Sequence, residues 1–278
     1  MKGIGIPPQI SPATVFKTIG NFLDMELRKT GRDIYVVGLS GGVDSALSAA
    51  LAVRALGREK LLAVKMPYRS SNPLSEHHAD LLIEKFGMKS SRHDITFLVD
   101  DYFKDNTEAD RMRIGNFMAR QRMAILFDLS AKTNGLVLGT SNKSEILMGY
   151  TTWHGDSASS LNPIADLYKT QVFQMAEFMG IPEEILSKPP SADLWPDQTD
   201  EQEMGISYCK ADPILYLMVD ERYTMEETAG KLGISLQTVR KVFDRVRKNQ
   251  FKRRLPIAAK VSFRTVGIDF RYPRDWGR

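Results

Sequence analysis

The sequence predicts an α/β protein: a doubly wound parallel sheet of about five strands, flanked by helices and followed by a helical C-terminal part. Two observations predict it. Short unbroken apolar runs, such as Ile34-Tyr35-Val36-Val37-Gly38-Leu39, read as strands buried on both faces. These runs alternate with helical segments, the order that produces parallel strands joined by crossover helices. Composition agrees, since 42% hydrophobic and 26% charged residues are ordinary for a globular chain with a core.

The elements follow in order. After the strand at Ile34, the Ala/Leu-rich run from Ser45 to Leu56 predicts a helix. Leu61-Leu62-Ala63-Val64 predicts a second strand, then a helix around Glu76–Phe86 and a short extended piece near Arg92–Thr96. Glu108 to Thr133 carries apolar residues at helical spacing (Met112, Phe117, Met118, Met123, Ala124, Phe127), and Asn134-Gly135 ends it. Leu136-Val137-Leu138-Gly139 is a further short strand, and Lys169–Met179 another amphipathic helix. Pro189-Pro190 and the acidic stretch Asp197–Glu203 read as a mobile surface segment. The 278 residues are best taken as one unit, with an α/β core to about residue 195 and a helical extension with a basic tail from about 196 to 278.

A single cysteine, Cys209, excludes an internal disulfide and a cysteine metal cluster, which fits a reducing cytoplasm. No leader-like or membrane-spanning run is present, so a soluble cytoplasmic protein is expected. The net charge of +4 is uneven: Arg240–Arg278 holds 13 Lys or Arg against 3 Asp or Glu. Such a tail could grip nucleic acid or serve a phosphate-rich small ligand.

In a doubly wound sheet, ligands bind at the carboxyl ends of the strands. The turn after the first strand is Ser40-Gly41-Gly42-Val43-Asp44-Ser45, leading into a helix. Two adjacent glycines let the backbone approach an anion, and the helix N-terminus adds partial positive charge. Asp44 fits a phosphate site only with a cation between them, which points to Mg²⁺. Neither common nucleotide motif, Gly-x-x-x-x-Gly-Lys-Ser/Thr or Gly-x-Gly-x-x-Gly, occurs. The plainer alternative is a turn whose serines and Asp merely cap the helix.

Ser-Gly-Gly-x-Asp-Ser resembles the signature of the ATP pyrophosphatases, which split ATP between its α- and β-phosphates. Within that group the chain resembles the NAD synthetases. The resemblance rests on Gly139-Thr140-Ser141-Asn142-Lys143-Ser144-Glu145, Gly155-Asp156, Leu167-Tyr168-Lys169-Thr170, Lys188-Pro189-Pro190-Ser191, Gln198-x-Asp200-Glu201 and the upstream Gly115–Met123, from about Val15 to Pro256.

The resemblance implies an adenine nucleotide alpha hydrolase-like fold and a ligase that forms a C–N bond. Deamido-NAD would be amidated to NAD with free ammonia, using ATP and Mg²⁺, through an adenylated carboxylate. Gly38, Leu39, Ser40, Gly41, Gly42, Val43, Asp44 and Ser45 would wrap the ATP phosphates, with Thr140, Lys169 and Ser191 as further ATP contacts. Asp44 and Glu145 would hold Mg²⁺, Asp44 and Lys169 would act catalytically, and Arg120 and Lys252 would contact deamido-NAD. A homodimer is also implied, with the Glu108–Thr133 helix as a contact surface. No room remains for the amidase domain of glutamine-using relatives, which implies free ammonia.

Three departures from the family pattern fall on the dinucleotide side: Trp153 replaces a basic residue, Ser160 an Asp, and Phe251-Lys252 a His-Lys pair. A rival reading comes from Met225–Arg254, which resembles a helix-turn-helix with a basic second helix. That would make the chain an ATP pyrophosphatase acting on another acceptor, such as a tRNA base. The run has few interleaved aromatics, so a stacking platform for nucleic acid is poorly supplied.

Overall fold

The computed structural model describes residues 6–195 and 198–271. Asp197, residues 1–5 and the last basic residues, 272–278, lie outside the described residues. Helix α1 (Pro12–Thr30) leads into β1 (Ile34–Gly38), α2 (Val43–Leu56), β2 (Leu61–Lys65), α3 (Pro73–Phe86) and β3 (Lys89–Arg92). Helices α4 (Thr96–Phe103) and α5 (Arg111–Lys132) precede β4 (Gly135–Val137), α6 (Lys143–Met148), α7 (Lys169–Phe178) and α8 (Glu183–Leu186). The C-terminal part is helical: α9 (Asp200–Met204), α10 (Tyr208–Val219), α11 (Met225–Leu232) and α12 (Leu236–Lys248).

The strands form a four-stranded parallel sheet in the order β3-β2-β1-β4. Register sets Tyr35 opposite Leu61 and Gly38 opposite Val64, while Ile34 faces Gly135 and Val36 faces Val137. The chain winds outward through β2 and β3, then returns to the other side of β1. A switch point therefore opens between the ends of β1 and β4, where such sheets bind ligands.

Alternation along β1 divides the core. Tyr35 and Val37 join Leu23, Leu47, Leu51 and Val172, from α1, α2 and α7, on one face. Val36 joins Val99 of α4 and Met118 and Leu129 of α5 on the other. A third cluster ties Met148 of α6 to Tyr208, Ile214, Val239 and Val242.

The differences from expectation have local causes. The fifth strand is reduced to a single parallel bridge, Leu138 to Leu161, beside β4. The third strand ends at Arg92, earlier than Arg92–Thr96, and the chain turns at Asp94, whose carboxylate accepts from Thr96 N (2.9 Å), before α4 begins. Met112 and Phe127, counted with the apolar face of α5, are exposed, whereas Met118 is buried. The stretch read as mobile surface is instead anchored: Gln198 is buried and Asp200, at the start of α9, is 3% exposed. Helix α1 precedes the first element that local pattern predicts, the strand at Ile34.

Candidate active site

The glycine-rich turn joins β1 to α2 with Gly42 as the helix N-cap. Gly41 adopts φ +72, and a Cβ there would lie 2.2 Å from the Ser75 carbonyl oxygen, so only glycine fits. Ser45 Oγ accepts from Ser40 N (3.3 Å), lies 3.1 Å from Ser40 Oγ and donates to the Gly42 carbonyl (3.0 Å). The turn is thus preshaped, and the first-turn N–H groups of α2 face the switch point as an anion cradle. Gly41 itself packs towards α3, while Gly38–Ser40 and Gly42–Ser45 line a cleft of about 970 Å³.

The second wall comes from the end of β4. Asn142 caps α6: its side chain accepts from Glu145 N (3.0 Å), and Glu145 Oε2 accepts from Asn142 N (3.2 Å). The same Asn142 donates through Nδ2 to Asp44 Oδ1 (2.8 Å), so one residue orients both carboxylates. Lys169, the first residue of α7, is 1% exposed. Its Nζ lies 2.5 Å from Asp44 Oδ2 and 3.4 Å from Glu145 Oε1, above the Tyr208 ring (5.1 Å to the centroid).

Asp200 completes this group. It accepts from the Tyr208 hydroxyl at Oδ2 (3.1 Å), and its buried Oδ1 has no hydrogen-bond partner. Three carboxylates therefore surround one ammonium. Burial pushes Glu145 up to about 8, with the Asp44 charge adding to the effect and Lys169 opposing it. Burial also raises Asp200, against the pull of Lys169. For Lys169 burial works downward, but Asp44 and Glu145 prevail and hold it above the usual lysine range.

Such an excess of buried negative charge, with an orphaned carboxylate oxygen, fits a divalent cation. Among the described residues no group of three or more His, Cys, Asp or Glu forms a ready-made metal cage. Mg²⁺ in general takes one or two protein carboxylates and completes its shell with water and substrate phosphate.

Thr140, Ser191 and Lys252 also line the cleft. Lys252 Nζ donates to the Gly149 and Thr151 carbonyls (2.8 and 2.7 Å), and burial lowers its pKa against the pull of Asp156. Arg120 stands apart, on the exposed side of α5, donating to the Trp153 carbonyl (3.3 Å). The departures Trp153 and Phe251 pack edge to face, with centroids 5.4 Å apart. Ser160 Oγ accepts from Val137 N (3.1 Å) at the sheet edge.

Three further cleft residues have no role that the sequence pattern assigns. Asp200 was hidden in a polar stretch that looked like surface. Lys188, lowered by burial, donates to Ser75 Oγ (2.8 Å). Arg122, also lowered by burial, donates to the Met66 carbonyl (3.0 Å) at the end of β2. Nothing in spacing or composition distinguishes these cations from solvated ones.

Some of the basic C-terminal residues turn inward. Arg245 and Asn249 donate to the Met148 carbonyl (3.3 and 3.2 Å), and Arg253 to those of Ile146 and Leu147 (3.2 and 2.8 Å). They satisfy the open C-terminus of α6, whose cap Gly149 lies so close that a Cβ would sit 2.2 Å from Asn249 Cβ. The double substitution Arg245→Ala/Asn249→Ala is expected to cost about 1–3 kcal/mol, because buried carbonyls lose their donors. Urea unfolding checks it; an unchanged midpoint would show that the clamp adds nothing.

An open parallel sheet with a glycine-rich turn and a carboxylate–lysine cluster at its switch point defines a doubly wound nucleotide-binding α/β protein. The family model NAD synthase matches residues 15–256. The chain is 51% identical over 269 residues to the NH(3)-dependent NAD(+) synthetase of Trichlorobacter lovleyi, covering 97% of this chain and 98% of that one. Among solved structures it resembles the NMN synthetase from Francisella tularensis (TM-score 0.79, 28% identity, 90% of this chain and 99% of that one). It also resembles the NH3-dependent NAD synthetase from Campylobacter jejuni (TM-score 0.77, 30% identity, 90% and 100%). The chain belongs to the NAD synthase family.

Proposed function

We propose that the protein is a C–N ligase that amidates deamido-NAD to NAD with free ammonia, consuming ATP and releasing AMP and pyrophosphate. The observation that carries this reading is Lys169, buried between Asp44 and Glu145 beside the Ser40–Ser45 turn. Lys169, held charged by its carboxylates, and a cation bound by those carboxylates would offset phosphate charge, and no protein nucleophile is needed for transfer of AMP to a substrate carboxylate. The nicotinate oxygen attacks the α-phosphorus, the bond to the bridging oxygen breaks, and pyrophosphate leaves. Ammonia then attacks the carbonyl carbon of the mixed anhydride, AMP departs, and the spare proton goes to solvent.

The chain's own residues position this chemistry. The α2 N-terminus and Ser40 cradle phosphate oxygens, Lys169 balances triphosphate charge, and Thr140 and Ser191 border the nucleotide. Asp44 and Glu145 would hold Mg²⁺, with Asp200 close behind; the ion when bound would offset charge on the leaving pyrophosphate. Arg120 and Lys252 are assigned to deamido-NAD, with Lys252 reaching into the cleft. The α/β core to about residue 195 supplies the cradle, and the extension from about 196 supplies Asp200 and Lys252. A homodimer in the cytoplasm fits this reading. Among the described residues no helix is long and apolar enough to cross a membrane.

Purified protein with ATP, Mg²⁺, ammonium and deamido-NAD is expected to form NAD and AMP in equal amounts. Turnover with nicotinate mononucleotide and none with deamido-NAD would overturn the substrate assignment. Pyrophosphate release that requires RNA would overturn the reading altogether. EDTA is expected to stop turnover, and excess Mg²⁺ to restore it; full activity in EDTA would remove the metal role.

A further inference from the structure

One deeply buried carboxylate has no part in the roles above. Asp212, on α10, is 0% exposed and does not line the cleft. A carboxylate is kept in such a place only where donors occupy its oxygens. Here both are occupied: Oδ1 accepts from the Ser144 hydroxyl (2.6 Å) and Oδ2 from Thr170 N (2.8 Å). Ser144 Oγ in turn accepts from Lys169 N (2.9 Å). A hydroxyl has one proton, and this one is committed to Asp212, so the direction of all three bonds is fixed. Ser144 is 0% exposed as well, which keeps water from competing for them.

These bonds join the backbones that carry two functional side chains. Ser144 directly precedes Glu145 on α6, and Thr170 directly follows Lys169 on α7. The Lys169–Glu145 contact itself (3.4 Å) is made by two long, rotatable side chains, so it follows the spacing of the helices rather than setting it. A backbone bond, Lys143 N to the Leu167 carbonyl (2.8 Å), ties the start of α6 to the chain leading into α7. Asp212 ties the two helices themselves, from positions 68 and 42 residues beyond Ser144 and Thr170. Tyr208, one turn earlier on α10, carries the ring beside the Lys169 ammonium (5.1 Å). One face of α10 therefore meets Lys169 at both its backbone and its tip.

We propose that Asp212 is a positioning residue for the reaction: through Ser144 and the Thr170 amide it sets where Glu145 and Lys169 stand. It touches no reacting atom, and its role rests on the reading of the cleft as an ATP site. Misplacing a reacting group by about 1 Å can cost about 10²-fold in rate. Without Asp212, Thr170 N and the Ser144 proton would have no acceptor in a dry site, and α7 would shift against α6. The Ser40–Ser45 turn belongs to β1 and α2, so it would stay in place.

The test is steady-state kinetics of full-length variants, read beside amide hydrogen exchange. Asp212→Ala is expected to lower kcat at least about 30-fold while the KM for ATP rises less than about threefold. Ser144→Ala, a milder change, should lower kcat at least about fivefold, and the double variant should be no worse than Asp212→Ala, because both act through one set of bonds. Asp212→Asn keeps an acceptor for Thr170 N and offers an N–H to Ser144 Oγ, so it should stay within about fivefold of wild type. Leu215→Ala, which removes buried packing from the same helix, should lower the melting temperature and leave kcat unchanged. Wild-type kcat in Ser144→Ala, additive losses in the double variant, or an equal loss in Leu215→Ala would each overturn the positioning role. So would Asp212→Asn as impaired as Asp212→Ala, since charge rather than spacing would then matter. Exchange separates this from the reaction itself: the Lys169 and Thr170 amides should lose protection in Asp212→Asn or Ser144→Ala while β1 keeps its own, whatever acceptor the enzyme uses. Unchanged protection at both amides would overturn the proposal, whereas a wild-type chain that forms no NAD would overturn only the reaction.

Discussion

Asp44→Asn is expected to lower turnover by at least about 10³-fold, or roughly 4 kcal/mol of transition-state stabilisation, the scale of losing one central electrostatic contact. The substitution keeps the shape of the side chain, and Asn142 Nδ2 can turn to a new acceptor. The fold should therefore survive, and circular dichroism should match the wild type. The change is electrostatic. Lys169 would lose its strongest partner at 2.5 Å and rely on Glu145 at 3.4 Å. A cation would lose one of its two first carboxylates. The check is steady-state kinetics with varied Mg²⁺, where the mutant should also need far more metal. Turnover within tenfold of wild type would remove Asp44 from the catalytic centre.

Gly41→Ala is the second large effect, and it arises from the backbone. At φ +72 an alanine costs about 1–2 kcal/mol by itself. The added Cβ would also lie 2.2 Å from Ser75 O, 2.8 Å from Ser75 C and 2.8 Å from Ser75 Cα, so the turn or α3 must move. Because Ser40, Gly42 and Ser45 share one hydrogen-bonded turn, movement at Gly41 would misdirect the proposed phosphate cradle as a unit. The apparent KM for ATP should rise at least about tenfold, and the melting temperature should fall by roughly 5 °C or more. Gly233→Ala provides a control: its φ is +64, but nothing lies within 4 Å, so it should lose stability without raising the KM for ATP. Equal effects of the two variants on KM would show that the close approach to Ser75 is unimportant.

What was legible in the sequence was the part carried by local pattern. The strand at Ile34 is apolar throughout, because parallel strands are covered on both faces, and the Ser-Gly-Gly turn follows at once. The carboxyl ends of β1 and β4 had to converge in such a sheet, which brought Asp44, Thr140 and Glu145 to one place. Lys169 was harder, since a lysine opening an amphipathic helix usually points to water; only the family resemblance singled it out. Asp200 was misread because its neighbours are acidic, and burial is a property of what packs over a segment. Here that is Tyr208, from a helix whose position no local pattern reveals. The basic run after Arg240 was hard to read for the same reason. Its charge left nucleic acid and a phosphate-rich small ligand both open, whereas Arg245 and Arg253 are directed at carbonyls of α6, about a hundred residues earlier in the chain, and Lys252 lines the cleft.

That clamp on α6 has a consequence for synthesis. Glu145 sits in the first turn of a helix of only six residues, too short to persist alone in water. Its far end is closed by Arg245, Asn249 and Arg253, which leave the ribosome roughly a hundred residues later. A nascent chain that already displays the whole sheet and the Ser40–Ser45 turn would still lack a fixed Glu145. Catalytic competence is thus deferred to the end of translation, and a chain truncated near residue 240 should fold its sheet without gaining activity.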